Sequence, residues 1–309
     1  MSPKVNGTEK RFDVLGLGCA AVDDVLYVAS YPAPDRKARV EETRRQCGGL
    51  TAAALLTAAR LGARCAYAGC LGTDEHSDYV AACFARAGVD TSSAPRLPEA
   101  RVVHSTIIVG RDTGSRNIFH ESQGLIGAHD TLPSEDVIRD AKVLFIDHLG
   151  MPGTWRATRL ARAAGVAVVA DLENETAPLF PQVLGLIEHL ILSEEFALRL
   201  TGASSPAQAA LALWTSDRAV VIVTCGADGC WSVAADHVGV ARPHPAFSVK
   251  ALDTTGCGDV FHGAYAASLA AGATLDERIR VASAAAALKA SQGEIPDRAA
   301  MEAFLRTHP

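Results

Sequence analysis

Apolar and amphipathic runs alternate along most of this chain, and that alternation sets the fold expectation. Residues 12–19 form a short unbroken apolar run, the pattern of a strand covered on both faces. It ends in Gly16-x-Gly18 and leads to a loop with Asp23 and Asp24. Residues 24–31 and 37–45 are different. Apolar and polar positions alternate there (Val25, Tyr27, Ala29; Ala38, Val40), which predicts strands with one covered face. Tyr31-Pro32-Ala33-Pro34-Asp35 between them is a turn signal. Cys47-Gly48-Gly49 opens a helix over 50–61, closed by Gly62 just past its end. A strand over 65–71, a loop with Gly72-Thr73-Asp74 and a helix over 75–87 closed by Gly88 follow. Residues 102–110 and 117–120 alternate again, on either side of a hairpin turn, Asp112-Thr113-Gly114-Ser115.

From there strand and helix repeat. Strands are expected over 143–147, 166–171, 189–192 and 219–224, with helices after Pro152, near 179–186 and over 194–200. Short strands at 231–233, 238–241 and 247–249 precede three closing helices over 258–271, 275–290 and 298–307. Such a succession predicts an α/β fold, a doubly wound, mostly parallel sheet with helices on both faces. The half-buried alternating segments do not belong inside that sheet. They are expected to form a small β-sheet lid, about 24–46 and 101–121, within a single domain spanning 12–309.

Composition narrows the function classes. The 309 residues are 49% hydrophobic, enough for one large core. Net charge is −6, and the densest basic pairs are Arg36-Lys37 and Arg44-Arg45, so no nucleic-acid footprint is present. The longest apolar run, 281–288 broken by Ser283, is too short to cross a bilayer. Residues 1–12 lack the apolar core of a signal peptide, so no membrane partner and a cytoplasmic location are expected. Eight cysteines without a Cys-x-x-Cys pair point to reduced thiols, not to zinc or a disulfide framework.

The chemistry concentrates in Asp253-Thr254-Thr255-Gly256-Cys257-Gly258-Asp259. Two glycines flanking one small residue let the backbone turn so that successive N–H groups converge ahead of a helix. A helix start adds unpaired N–H groups and a positive dipole end, which together favour a phosphate. An acid at that spot, Asp259, would repel a resident phosphate unless it takes a proton from an incoming hydroxyl. The stretch therefore describes a phosphoryl-transfer centre, with Asp259 expected to stay ionised and act as a weak base.

These seven residues resemble the second signature of the pfkB (ribokinase-like) carbohydrate kinases, Asp-Thr-x-Gly-Ala-Gly-Asp, with Cys257 in place of the usual Ala. That thiol is a candidate for oxidation or alkylation. Gly48-Gly49, the helix ending Ala59-Arg60-Leu61-Gly62, and Gly69-x-Leu71-Gly72-x-Asp74 resemble the first signature. Thr224-Cys225-Gly226-Ala227-Asp228-Gly229 is similar to the family's nucleotide loop, although the same residues also suit a hairpin turn. Ser193 to Phe196 resembles the family's Asn-x-x-Glu motif with Ser193 for Asn and Phe196 for Glu. Glu194 or Glu195 could take over its part near Mg²⁺, or serve only as acids in a helix's first turn. Asp259-Val260-Phe261-His262-Gly263-Ala264 is similar to the sulfofructose kinase branch, and Gly114-Ser115-Arg116 to ketohexokinases.

The resemblance covers residues 12–306 and implies an ATP-dependent sugar kinase. It puts Asp23, Gly48, Gly49 and Asp259 at the sugar, and Ser193, Thr224, Gly226, Gly229, Gly256 and Gly258 at the nucleotide. The amides of Gly256, Cys257 and Gly258 would hold the transferring phosphoryl group. Mg²⁺ with ATP, possible K⁺ beside Asp253 and Thr255, and a homodimer built through the lid follow from the same resemblance. A nucleoside kinase and a catalytically silent sugar- or nucleotide-binding protein are the alternatives. A Rossmann oxidoreductase is disfavoured because Cys19-Ala20-Ala21 after Gly16-x-Gly18 lacks the third glycine. An anionic substrate would need a basic ligand such as Arg39, Arg101, Arg111 or Arg116. His120, His148 and His262 are expected to pack or hydrogen-bond, not to transfer protons.

Overall fold

A computed structural model describes residues 9–113 and 115–308; Gly114 of the expected hairpin turn and Pro309 of the expected domain lie outside the described residues. The chain opens with β1 (Phe12–Leu17), β2 (Ala21–Val28) and β3 (Val40–Gly48), then α1 (Leu50–Arg60), β4 (Cys65–Tyr67) and α2 (Glu75–Ala87). β5 (Val103–Gly110), β6 (Arg116–Glu121) and the short α3 (Glu135–Arg139) follow. The regular alternation comes next: β7 (Ala141–Asp147), α4 (Met151–Ala163), β8 (Ala167–Asp171), α5 (Phe180–Leu184), β9 (His189–Ser193), α6 (Glu194–Thr201), α7 (Pro206–Leu213) and β10 (Val220–Thr224). β11 (Cys230–Ala234), β12 (Arg242–His244), α8 (Cys257–Ala270), α9 (Leu275–Gln292) and α10 (Arg298–Thr307) complete it.

Two sheets result. The larger has the order β12-β11-β10-β9-β8-β7-β1-β4, antiparallel only in its β10–β11 and β11–β12 pairings. Its central strands are apolar on both faces because helices cover both, and two buried clusters, one on each side, form the core. The smaller sheet, β3-β2-β5-β6, takes the alternating segments as their pattern required. Local signals set the helix ends: Asp74 caps Ser77 N ahead of α2, Gly88 ends that helix at φ 73°, and Thr274 with Glu277 makes a capping box for α9. α1 and α8 pack closely because Gly263 faces Ala54; a Cβ there would stand 2.2 Å from the Ala54 carbonyl oxygen.

Three expectations change. Strand β2 starts at Ala21, so Asp23 and Asp24 sit in a strand and not in a loop. The expected strand over 238–241 is a turn, with Gly239 at φ 78° and Val240 N donating to His237 O; the edge strand is β12 instead. No strand forms over 247–249, because Phe247 turns inward against Phe304 of α10, ring centroids 5.2 Å apart. Helix α7 was legible in Ser205-Pro206, a cap followed by a first-turn proline. No helix among the described residues is long and apolar enough to cross a membrane.

Candidate active site

Parallel strands end together, and their last residues line one edge of the main sheet. Asp147 closes β7 beside Asp171 of β8, and Ser193 closes β9 beside Thr224 of β10. Such carboxyl ends are where open α/β sheets bind ligands. Asp147 is fully buried and fully used: Oδ2 accepts from Cys19 N at 2.7 Å and Thr51 Oγ1 at 2.8 Å, and Oδ1 from Leu149 N at 2.8 Å. A Cβ at Gly18 would stand 2.2 Å from that carboxylate, which explains the second glycine of Gly16-x-Gly18.

The start of α8 is built as the motif predicts. Gly256 takes φ 73° and supplies no side-chain cap. Thr255 N donates to Asp253 Oδ1 at 2.8 Å, and Lys289 Nζ stands 2.9 Å from Asp253 Oδ2. Burial alone would raise the Asp253 carboxyl; the Thr255 and Lys289 contacts more than offset it and hold it below the ordinary range. Cys257 N turns back to Thr254 O at 3.3 Å. The amides of Gly256, Gly258 and Asp259 meet no protein acceptor among the described residues, so the open set differs from the expected one by exchanging Cys257 for Asp259. Burial also pushes the Cys257 thiol up, which makes it a poorer nucleophile than its sequence position suggested.

Asp259 itself is half-buried, and its carboxyl is raised well above the ordinary carboxylate range. Desolvation is the main cause, followed by the negative charges of Asp171 and Glu173, with His262 acting the other way. The expectation of an ordinary, readily ionised helix-start acid is corrected: burial, with the neighbouring acids added, outweighs the helix dipole. His262 packs as expected, its Nδ1 2.8 Å from Gly258 O and 3.3 Å from Asp171 Oδ2, its Nε2 3.1 Å from Ile191 O.

The small sheet supplies the facing wall. Across its ladders Asp23 pairs with Gln46 and Ser105, whose polar side chains favour its charged form. Burial outweighs them and raises the Asp23 carboxyl, and its charge reaches Asp259. A Cβ at Gly48 would stand only 2.0 Å from Asp23 Oδ2, and Gly49 has φ 91° with Ala21 N 2.8 Å from its would-be Cβ. Neither glycine is merely a flexible helix start. Strand alternation puts Asp24 on the opposite face, where Arg45 grips it at 2.7 and 2.8 Å. Between the sheet and the 251–255 loop lies a cavity of about 480 Å³ lined by Tyr27, Arg44, Gln46, Arg111, Arg116 and Asp253. Arg116 reaches across to Thr254 Oγ1 at 3.3 Å. Arg101 folds back on the carbonyls of Pro98 and Ala100.

The expected nucleotide loop closes as a hairpin, Cys225 N donating to Gly229 O at 2.7 Å, with Gly226 and Gly229 at φ 57° and 90°. A Cβ at Gly229 would stand 2.0 Å from His244 O, so this glycine also permits the close approach of β12. Ser193 Oγ caps α6 by accepting from Phe196 N at 3.3 Å, and Phe196 is core, edge-to-face with Phe180. Glu195 is not brought to the site: its side chain is 91% exposed and lies 3.8 Å from Arg199. Glu194 stays near the loop, where its charge adds to burial in raising the Cys225 thiol. Sequence reasoning missed Asp147, Asp171, Glu173 and Lys289. The first two end apolar strands, a signal that was available.

An open sheet edge facing unspent helix-start amides, with a carboxylate among them and a second acid opposite, defines a phosphotransferase acting on an alcohol. The chain belongs to the pfkB family of carbohydrate kinases, whose sequence pattern matches residues 14–295. It is 30% identical to a ribokinase from Haemophilus influenzae, over 94% of this chain and 97% of that protein. A 5-dehydro-2-deoxygluconokinase from Shouchella clausii is 26% identical over 92% and 91% of the two chains. Among solved structures, a ribokinase of Arabidopsis thaliana in complex with ribose and ATP superposes with TM-score 0.82 at 21% identity, covering 96% of this chain and 99% of that one. That likeness bears out the fold.

Proposed function

We propose that this chain transfers the terminal phosphoryl group of ATP to a hydroxyl of a small sugar held between the two sheets. Asp259 accepts the hydroxyl proton as the oxygen attacks, and the amides of Gly256, Gly258 and Asp259 receive the charge that develops on the phosphoryl oxygens. Asp23, flanked by Gly48 and Gly49, hydrogen-bonds the sugar's other hydroxyls. The nucleotide lies along the hairpin of Thr224, Gly226 and Gly229. The observation that carries this reading is Asp259 at an uncapped helix start, with Asp23 close enough on the facing sheet for its charge to be felt there.

Mg²⁺ fits this site through the nucleotide. Among the described residues no group of three or more His, Cys, Asp or Glu is arranged to hold a metal. Mg²⁺ commonly sits on substrate phosphates and waters with only one or two carboxylates, here Asp171 and Glu173, and neutralises phosphate charge. Burial first, and the Glu173 charge after it, raise the Asp171 carboxyl, an arrangement that a cation-bearing phosphate would relieve. The small sheet, residues 24–46 and 101–121 of one domain spanning 12–309, acts as the lid. Its outer strand exposes Ile118 and Phe119, a surface suited to pairing with a second copy.

The test is ADP release with ribose, fructose, 5-dehydro-2-deoxygluconate, adenosine and cytidine. Turnover with a sugar is expected. Turnover confined to nucleosides, or none with any acceptor, overturns the reading.

A further inference from the structure

The loop before α8 carries its own cation. Asp253 uses both carboxylate oxygens within the protein, Oδ1 for Thr255 N at 2.8 Å and Oδ2 for Lys289 Nζ at 2.9 Å. The Lys289 side chain is 11% exposed and comes from the last turn of α9. That turn is docked on the loop: Ala290 O accepts from Leu252 N at 2.7 Å and from Asp253 N at 3.1 Å. The ammonium is therefore delivered by a rigid helix to a partly buried carboxylate, and does not wander in from solvent.

Family resemblance puts a potassium ion beside Asp253 and Thr255, and the residues present do not fit one. A monovalent cation at Asp253 Oδ2 would have to share that oxygen with a buried like charge. The charge of that oxygen is already met from within the protein.

We propose that Lys289 replaces the monovalent cation, so that the 252–256 loop, and with it the amides at the start of α8, is ordered without potassium. Lys289 is a positioning residue: it acts on the reacting phosphate through Asp253 and the turn from Thr254 to Cys257. The potential of a fixed ammonium is present at every salt composition, whereas a bound ion is present only as its concentration allows.

The inference rests on the kinase reading for its kinetic test and stands apart from it in a second one. ADP release is measured in potassium, sodium and tetramethylammonium chloride at one ionic strength. The unaltered chain is expected to turn over equally in all three, and a rate that needs potassium overturns the proposal. Lys289→Ala should lose about tenfold or more in tetramethylammonium, the scale of one charge-assisted hydrogen bond, and regain rate when potassium is added. A loss that potassium does not repair makes Lys289 a structural residue only and overturns the replacement. If no acceptor gives ADP in any salt, the kinase reading fails, and melting temperature decides the Lys289 question. Potassium should then raise the midpoint of Lys289→Ala and leave the unaltered chain where it is in tetramethylammonium. A potassium-raised midpoint in the unaltered chain, or none in the variant, refutes it.

Discussion

Helices α6 and α8 both start at the carboxyl edge of the main sheet, and they start in opposite ways. α6 is sealed: Ser193 Oγ takes the Phe196 amide, Phe196 fills the core, and Glu195 faces solvent. α8 is left open. Gly256 has no side chain to offer, the amides of Gly258 and Asp259 stay unspent, and its first-turn acid lies half-buried among other carboxylates. A side-chain cap contributes about 1 kcal/mol of stability. Giving it up leaves donors and a dipole end for an anion from outside. The same structural device thus ends as scaffold in one place and as site in the other, and the capping residue decides which.

The sharpest way to break this contrast is Asp259→Asn. Turnover should fall roughly 10²–10⁴-fold with nucleotide affinity kept, the range for one general base. A loss of only about threefold would leave Asp259 no better than a first-turn acid such as Glu195. The sign of the stability effect is opposite to that of activity. A carboxyl raised in the folded state stabilises at low pH and gives up that contribution as pH rises through its folded value. Ionising Asp259 in the folded protein is therefore a cost, and Asp259→Asn should melt at a higher temperature than the parent at any pH where Asp259 is ionised.

The same raised carboxyl predicts that kcat/KM declines on the acid side at a pH well above the ordinary carboxylate range of about 4. An acid limb near that ordinary value would mean that the crowding by Asp171 and Glu173 does not act. Gly48→Ala sharpens the picture of the opposite wall. Its methyl would displace the Asp23 carboxylate, so the KM for sugar should rise about tenfold, one hydrogen bond to a charged group, with the KM for ATP unmoved. Smallest is Ser193→Ala. It should cost about 1 kcal/mol in denaturant unfolding, as a lost cap does, and leave kinetics with ATP unchanged.

Much of this was legible along the chain because local chemistry decides it. Period-two alternation separated the small sheet from the apolar strands of the large one, and glycines announced the turns at Gly48-Gly49 and Gly256. What escaped was decided by distant neighbours. Nothing near Asp259 in sequence warns that Asp171 and Glu173 will crowd it, and Lys289 meets Asp253 only because α9 folds back on the loop. Phe247 carries a strand-like run, but α10 claims it. Ser193 and Phe196 looked like a damaged metal motif. In three dimensions they make an intact helix start and a core contact.

One junction constrains how the molecule can open. Chain passes from the main sheet to the small one between Leu17 and Ala21, and back again between Gly48 and Leu50. The first crossing is pinned, Cys19 N to Asp147 and Gly18 O to the Tyr67 hydroxyl at 2.9 Å, and Val103 N fastens β5 to Ala20 O at the same end. Any swing of the small sheet would therefore turn about this seated crossing, moving Asp23, two residues from it, least and the rim near Tyr31 and Asp112 most.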